Sequence, residues 1–419
     1  MQLRPGEPEE GGMSAQRVRH VGQLAAGWVA QGITSALVIL VARRGVVVLH
    51  EAFGRLTPDD DAPPVKRDTI YPLISITKPI TATAAMMLVE DGLLGLQRPV
   101  SEYIPEFSGE GKQAVMVHHL LTHTAGLRDE DVNAHAAKKR GIVAIPPPEE
   151  TQHPWSNEYL FLGYDAPLWK PPGVEMSYCN YGYNLLGEIV RRVSGQALAD
   201  FARERIFEPL GLQDTFYIVP DAVRARIVRR PLGAPFAPGG ITPGLDTRER
   251  QEWPSAAGGV YSTAMDMAIF GQMFLNRGSY GEASILSPAA VAEMTRNQIP
   301  GISAQHRGEF FPEASWGFGW SIHGNKKALQ GGSLQSPQAF AHGGVGGVFL
   351  WVDAVYEIVG VYFAVALERH GRHTSQGVLR PIHERGDGSG RRCIGRRGLE
   401  GNIMTVVSLI YSSGPGNDG

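Results

Sequence analysis

"SALVILVARRGVVVLHEAFG", residues 35–54, places two β-branched, apolar runs on either side of Arg43-Arg44-Gly45. That pattern predicts a tight hairpin whose strands are largely buried, as in a covered antiparallel sheet. Before it, residues 14–32 carry Val18, Val21, Leu24, Ala25 and Val29 at helical spacing, beside Arg17, Arg19 and Gln23, and predict an amphipathic helix ending at Gly32. Far along the chain come three more strand-like runs: residues 338–342, "VFLWVD" (348–353) and "EIVGVYFAVAL" (357–367). One sheet that joins the N-terminal hairpin to these three strands is the economical solution. The expected fold is therefore α+β: a five-stranded antiparallel sheet built from both chain ends and flanked by helices, with a large, mainly helical insertion.

The insertion spans 76–250, with helical patterns over 76–90, 115–122, 181–194 and 197–206 separated by loops such as "AIPPPEE" and "LWKPPGVE". The sheet region is 14–75 together with 251–366, and includes a helix around 263–276. Residues 1–13 are acidic and Gly/Pro-rich and are expected to be disordered; Met13 is a second candidate start. Residues 367–419 are rich in Arg and Gly over much of their length, and a disordered tail is expected there, with "IMTVVSLIY" (403–411) as a stray strand.

The 419 residues have 43% hydrophobic and 19% charged residues and a net charge of −3. Such a chain is an ordinary globular one, not a polyanion binder, and Glu384, Asp387 and Glu400 dilute the basic tail, so no nucleic-acid partner is expected. The segment after Met13 is interrupted by Gln23, Gln31, Thr34 and Ser35 too early for a spanning helix, so no membrane partner is expected, and a cytoplasmic location is. The only two cysteines, Cys179 and Cys393, support neither a disulfide framework nor a thiolate metal site.

The stretch with most chemistry in it is "LISITKPITATAAMMLVEDG" (73–92), where Ser75 and Lys78 head an apolar run. Proline is harmless only in the first turn of a helix, so Pro79 sets the helix start near Ser75. Three residues apart on a helix is one face, so the Lys78 amine can lie beside the Ser75 hydroxyl. A lysine desolvated against an apolar helix can lose its proton and take that of a serine. Alone, the spacing reads more readily as a serine cap followed by an exposed lysine, and only its context overturns that. No G-x-S-x-G is present, which removes the α/β-hydrolase route to an esterase. In "HHLLTH", His119 and His123 have zinc-clamp spacing but lack a third ligand, so buried or capping histidines are expected and no metal or other cofactor.

Two further constellations follow. Tyr178-Cys179-Asn180 precedes an amphipathic helix, and His342-Gly343-Gly344 opens a strand run. In order, "YPLISITKPITATAAMMLVEDGLL", "LLTHTAGL", "SYCNYGYNLLGEIV", "PLGLQDT", "AAGGVYSTAMDMAIF" and "FAHGGVGGVFLWVD" resemble the serine β-lactamase and penicillin-binding-protein superfamily, nearest the class C β-lactamases and family VIII carboxylesterases, over residues 14–366. The resemblance implies that Ser75 is the acylated nucleophile and Lys78 its base partner. It implies that Tyr178 relays the proton to the leaving group and activates the deacylating water. Asn180 would orient the lysine and the substrate carbonyl, and the backbone N–H groups of Ser75 and Val345 would form the oxyanion hole. Where the family's lactamases carry Lys-Thr-Gly, this chain has His342-Gly343-Gly344, a group mostly neutral at pH 7 and no hydroxyl.

That departure weakens a carboxylate anchor and favours neutral esters; the bland alternative is a histidine that orients a strand end. The expected activity is thus a cofactor-free carboxylesterase on small or medium acyl groups, with a small-molecule ester or amide as partner. A β-lactamase, D-aminopeptidase or D,D-peptidase, an acyltransferase, and a non-catalytic binding homologue are the alternatives. Cys179 is expected to be a buried structural thiol, and Trp316, Phe318, Trp320 and Trp351 either wall an acyl pocket or are core. The resembled fold closes its sheet with a C-terminal helix, and no such helix is evident after "VGVYFAVALERH"; an uncovered sheet face and marginal stability are expected in consequence.

Overall fold

The computed structural model describes residues 1–232, 234, 244–306, 309–325, 334–367 and 399–412. Its centre is one sheet of seven strands: β1 (Arg4–Pro5), β2 (Thr34–Arg43), β3 (Val46–Gly54), β4 (Ser321–Ile322), β5 (Phe340–Gly344), β6 (Val348–Asp353) and β7 (Ile358–Ala366), in the order β1-β3-β2-β7-β6-β5-β4. The five expected strands form its middle. The hairpin turns at Arg44 (φ 52°) and Gly45 (φ 76°), both left-handed, the geometry that matches the twist of a two-residue connection. Strand β2 then pairs antiparallel with β7, and this pairing joins the two ends of the chain.

Every residue of β2 from Ala36 to Ala42 is buried, and alternation divides them between two cores. Leu37, Ile39 and Val41 face an outer layer with Phe349, Trp351 and Tyr362. Ala36, Val38, Leu40 and Ala42 belong to the inner core, which runs on into the helical region. A strand covered on both faces reads as a continuous apolar run, which is why residues 35–42 show no polar alternation.

The outer layer contains α1 (Ala15–Ala30), whose Val18, Val21, Ala25 and Trp28 are buried in one stripe. The inner side contains α2 (Thr77–Glu90), α3 (Asp129–Lys139), α4 (Asn180–Ser194) and α5 (Ala264–Leu275). Helix α2 is buried from Thr77 to Leu88 on all sides, Lys78 included. Helix α4 is strongly amphipathic and presents Leu185, Leu186, Ile189 and Val190 to the same core.

Three expectations are corrected. Among the described residues the sheet has seven strands, not five, because short edge strands are added at both sides. Residues 1–13 are not disordered: Arg4 and Pro5 pair in parallel with Val46 and Val47, residues Pro8–Gly11 form a 3₁₀ turn, and Asn276 Nδ2 donates to the Met1 carbonyl at 2.6 Å. Lastly, the tail includes a helix, α6 (Leu399–Tyr411), where a stray strand was expected. Its Val406, Val407 and Ile410 are buried in the outer layer, Tyr411 donates to Asp353 Oδ2 at 2.8 Å, and Arg17 donates to the Ser412 carbonyl at 2.5 Å. The outer sheet face is therefore covered, and the reason for expecting marginal stability falls away. Cys393, and the disorder expected over 368–398 and 413–419, lie outside the described residues. Among the described residues no helix is long and apolar enough to cross a membrane.

Candidate active site

Ser75 lies in a 3₁₀ turn, Ile74–Ile76, that leads into α2, with Pro79 in the first helical turn. Ile74, immediately before it, has φ 49°. A β-branched residue in the left-handed region costs about 1–3 kcal/mol and persists only where its surroundings impose it. They do so here. Leu73 N–H donates to the Val260 carbonyl at 2.8 Å, Val260 N–H donates to Thr77 Oγ1 at 3.1 Å, and β5 presses on the turn from the other side. A Cβ added at Gly344 would stand 2.4 Å from the Leu73 carbonyl oxygen, so that position of the third motif must be glycine.

Lys78 is fully buried, and its Nζ lies 3.3 Å from Ser75 Oγ. It donates to Asn180 Oδ1 at 2.7 Å and to the Ala257 carbonyl at 2.9 Å. Burial lowers its pKa from 10.5 to about 7, against an opposing pull from Asp129. The Tyr178 ring is under the amine, 4.7 Å from Nζ to its centroid, with the Tyr183 ring at 5.6 Å. The expected Ser75, Lys78, Tyr178 and Asn180 are thus one cluster, assembled from the head of α2 and the turn that opens α4.

His342 closes the cluster from β5, its ring 6.2 Å from that of Tyr178 and 5.8 Å from that of Trp316. Its Nδ1 is 2.9 Å from the Gly343 carbonyl, an oxygen that only accepts, which assigns the proton to Nδ1 and leaves Nε2 as an acceptor. Burial, helped by Lys78, lowers the His342 pKa to about 3, so the ring is neutral at any ordinary pH. Gly343 and Gly344 continue the strand into the turn that carries Val345, and Gly346 (φ 105°) and Gly347 (φ 111°) complete it.

Three contributions were not legible beforehand. The Ala257 carbonyl comes from the segment before residue 261 and holds Lys78 by its backbone, which no side-chain pattern reveals. His123, at φ 59°, stacks on Tyr178 with ring centroids 4.4 Å apart and accepts the Cys179 N–H at Nδ1 (3.1 Å). Asp129 binds the same turn through both carboxylate oxygens. Of the four candidate pocket aromatics, Trp320, Phe318 and Trp351 are core and only Trp316 stands at the site, edge-on to Tyr178 and His342. Cys179 is buried, and burial pushes its thiol well above the ordinary range. His118 and His119 stack on each other and bond backbone groups, His119 Nδ1 accepting the Met116 N–H at 3.0 Å as a helix cap. Among the described residues no cluster of three or more His, Cys, Asp or Glu side chains is placed to hold a metal ion.

A family model described as Beta-lactamase matches residues 19–380. Esterase EstB of Burkholderia gladioli is 30% identical over 341 residues, which cover 75% of this chain and 82% of the esterase. Penicillin-binding protein 4 of Amycolatopsis lactamdurans is 29% identical over 278 residues, 66% of this chain and 68% of that protein. Among solved structures, a family VIII carboxylesterase superposes with a TM-score of 0.69 at 22% identity, covering 96% of this chain and 99% of its own, a likeness of fold.

Proposed function

The chain belongs to the β-lactamase family, and from that premise we propose that it is a serine hydrolase that cleaves carboxylic esters of small or medium acyl groups through an acyl-enzyme at Ser75. The observation that carries this reading is the buried amine of Lys78, 3.3 Å from the Ser75 hydroxyl and with a pKa lowered to about 7. A neutral amine has two N–H groups and one lone pair. Asn180 Oδ1 and the Ala257 carbonyl take the two hydrogens, so the lone pair is left for the Ser75 proton.

In the acylation step Ser75 Oγ attacks the ester carbonyl carbon as its proton passes to Lys78 Nζ. The negative charge on the carbonyl oxygen is received by the N–H groups of Ser75 and Val345. Collapse of the intermediate breaks the bond to the alcohol oxygen, which leaves with the proton held by Lys78, the family likeness assigning the relay to the Tyr178 hydroxyl. A water molecule, giving its proton back along the same path, then splits the acyl-enzyme and restores Ser75.

The ester preference rests on His342. As a neutral ring with its proton committed to Gly343, it offers neither a cation nor a donor to a substrate carboxylate. Substrates whose binding depends on a carboxylate, as with penicillins and D-amino-acid peptides, lose an anchor there, whereas a neutral ester needs none. Parallel assays with nitrophenyl butyrate, a chromogenic cephalosporin and a D-Ala-D-Ala peptide test the preference; a dominant rate on the cephalosporin or the peptide overturns it. Product analysis with added alcohols detects acyl transfer. Intact mass after an active-site acylating probe, with Ser75→Ala as the partner sample, tests the nucleophile, and labelling that persists in the variant removes Ser75 from the mechanism.

A further inference from the structure

Asp129 belongs to none of the three motifs, yet its carboxylate lies across the N-terminus of α4. Oδ2 accepts from the Asn180 backbone N–H at 3.0 Å and from Asn180 Nδ2 at 2.6 Å. Oδ1 accepts from the Tyr181 N–H at 3.0 Å and from the Cys179 thiol at 3.3 Å. Cys179, at the cap position of α4, makes no side-chain cap bond of its own, so Asp129 satisfies the first N–H groups of the helix from a different segment. The bond to Asn180 Nδ2 has a chemical consequence. A carboxamide has one donating end and one accepting end, and the carboxylate holds the donating end. The accepting end, Oδ1, is therefore the one turned to Lys78 Nζ.

We propose that Asp129 is a positioning residue for acylation: it fixes the Asn180 amide so that the Lys78 lone pair is kept for Ser75, and it sets the negative charge that faces the amine. The inference rests on the reading of Lys78 as the base. A carboxylate that only capped α4 would contribute to stability and leave the chemistry alone, so a readout tied to Lys78 separates the two.

The groups around Lys78 make that readout interpretable. Tyr183 from α4 and Cys179 from the preceding turn have pKa values raised by burial and stay neutral, and His342 from β5 stays neutral as well. Tyr178 presents its ring face, Asn180 its amide oxygen and the 257 segment a backbone carbonyl. Asp129, from α3, is the carboxylate among them, and it raises the affinity of Lys78 for its proton. Without that charge the neutral amine is favoured further, so the acid limb of kcat/KM moves to lower pH. At the same time the plateau falls, because Asn180 is free to turn its nitrogen to the lysine.

The experiment is the pH profile of kcat/KM for nitrophenyl butyrate, with kcat, KM and thermal melts, in wild type, Asp129→Asn and Asp129→Glu. For Asp129→Asn the expected result is a plateau lower by about tenfold or more, carried by kcat, and an acid limb displaced downward by roughly half a pH unit. For Asp129→Glu, which keeps the charge but not the four-bond fit, kcat falls and the limb stays in place. A folded Asp129→Asn variant with a lowered melting temperature but wild-type kcat and limb overturns the proposal and leaves a structural cap. If Asp129→Asn does not fold, wild-type kcat in Asp129→Glu overturns it. A wild-type profile without an acid limb near neutrality, or full activity in Lys78→Met, instead overturns the reading of Lys78 as the base, and this inference with it.

Discussion

Helices α1 and α2 contribute to the fold in opposite ways. Helix α1 rests on the outer sheet face through Val18, Val21, Ala25 and Trp28, ties Arg17 to the tail at Ser412 and leaves Arg19 to solvent, so its role is to stabilise. Helix α2 is enclosed on every side, and the enclosure includes the amine of Lys78. Burying an amine is costly, and the cost appears as a pKa lowered to about 7. The comparison teaches that the lowered pKa of Lys78 is made by the packing of α2 rather than by the lysine itself: the same S-x-x-K spacing on the exposed face of a helix such as α1 would leave an ordinary ammonium ion beside the hydroxyl.

The largest effect expected from breaking this contrast is that of Ser75→Ala. Ester hydrolysis should fall by at least about 10³-fold, with the melting temperature near that of wild type, measured by initial rates and calorimetry. Next comes Lys78→Met, which keeps the apolar stem and removes the amine. We expect kcat lower by about 10²- to 10⁴-fold and a higher melting temperature at neutral pH. The folded-state pKa of Lys78, about 7, is below its ordinary 10.5, so between those values the unfolded chain binds more protons than the folded one. Its burial therefore costs most below about pH 7, and stability rises as pH increases from about 7 towards 10.5; melts across that window should lose this slope in Lys78→Met.

Gly344→Ala should act on the site more than on the fold. A methyl group 2.4 Å from the Leu73 carbonyl has to push β5 from the Ser75 turn, and kcat should fall by roughly tenfold with little change in KM. Smallest in activity is Ile410→Ala in α6, on the inert side: a loss of about 2–4 kcal/mol in denaturant unfolding, with kcat per folded molecule unchanged. A loss of activity in that variant at full folding would mean that the outer layer reaches the site.

The difference between the two helices also explains what could be read in advance. Helix α1 has an apolar stripe with polar residues opposite, and a period of that kind survives in the linear sequence. Helix α6 has the same property in miniature at Val406, Val407 and Ile410, but it follows a long Arg- and Gly-rich stretch that masked it, so its segment was expected to be a strand. The strands at the two ends were identifiable because a sheet covered on both faces needs uninterrupted apolar runs. Strands β1 and β4, two residues each, are too short to show any period.

At the site, Ser75, Lys78, Tyr178, Asn180 and His342 were legible because each belongs to a short motif in a recognisable order. By itself, then, the sequence determined the fold class, the family likeness and the side chains that meet. The tertiary structure alone decided their states. It lowered the Lys78 pKa by burial, set the His342 Nδ1 proton on the Gly343 carbonyl as a hydrogen bond, placed the Asn180 oxygen against the amine with its nitrogen on Asp129, and held Ile74 in a left-handed conformation against β5. The physical reason is that residue type and spacing are properties of the chain, whereas protonation, tautomer and strain depend on what the other segments exclude and donate, and those segments meet only in the folded molecule.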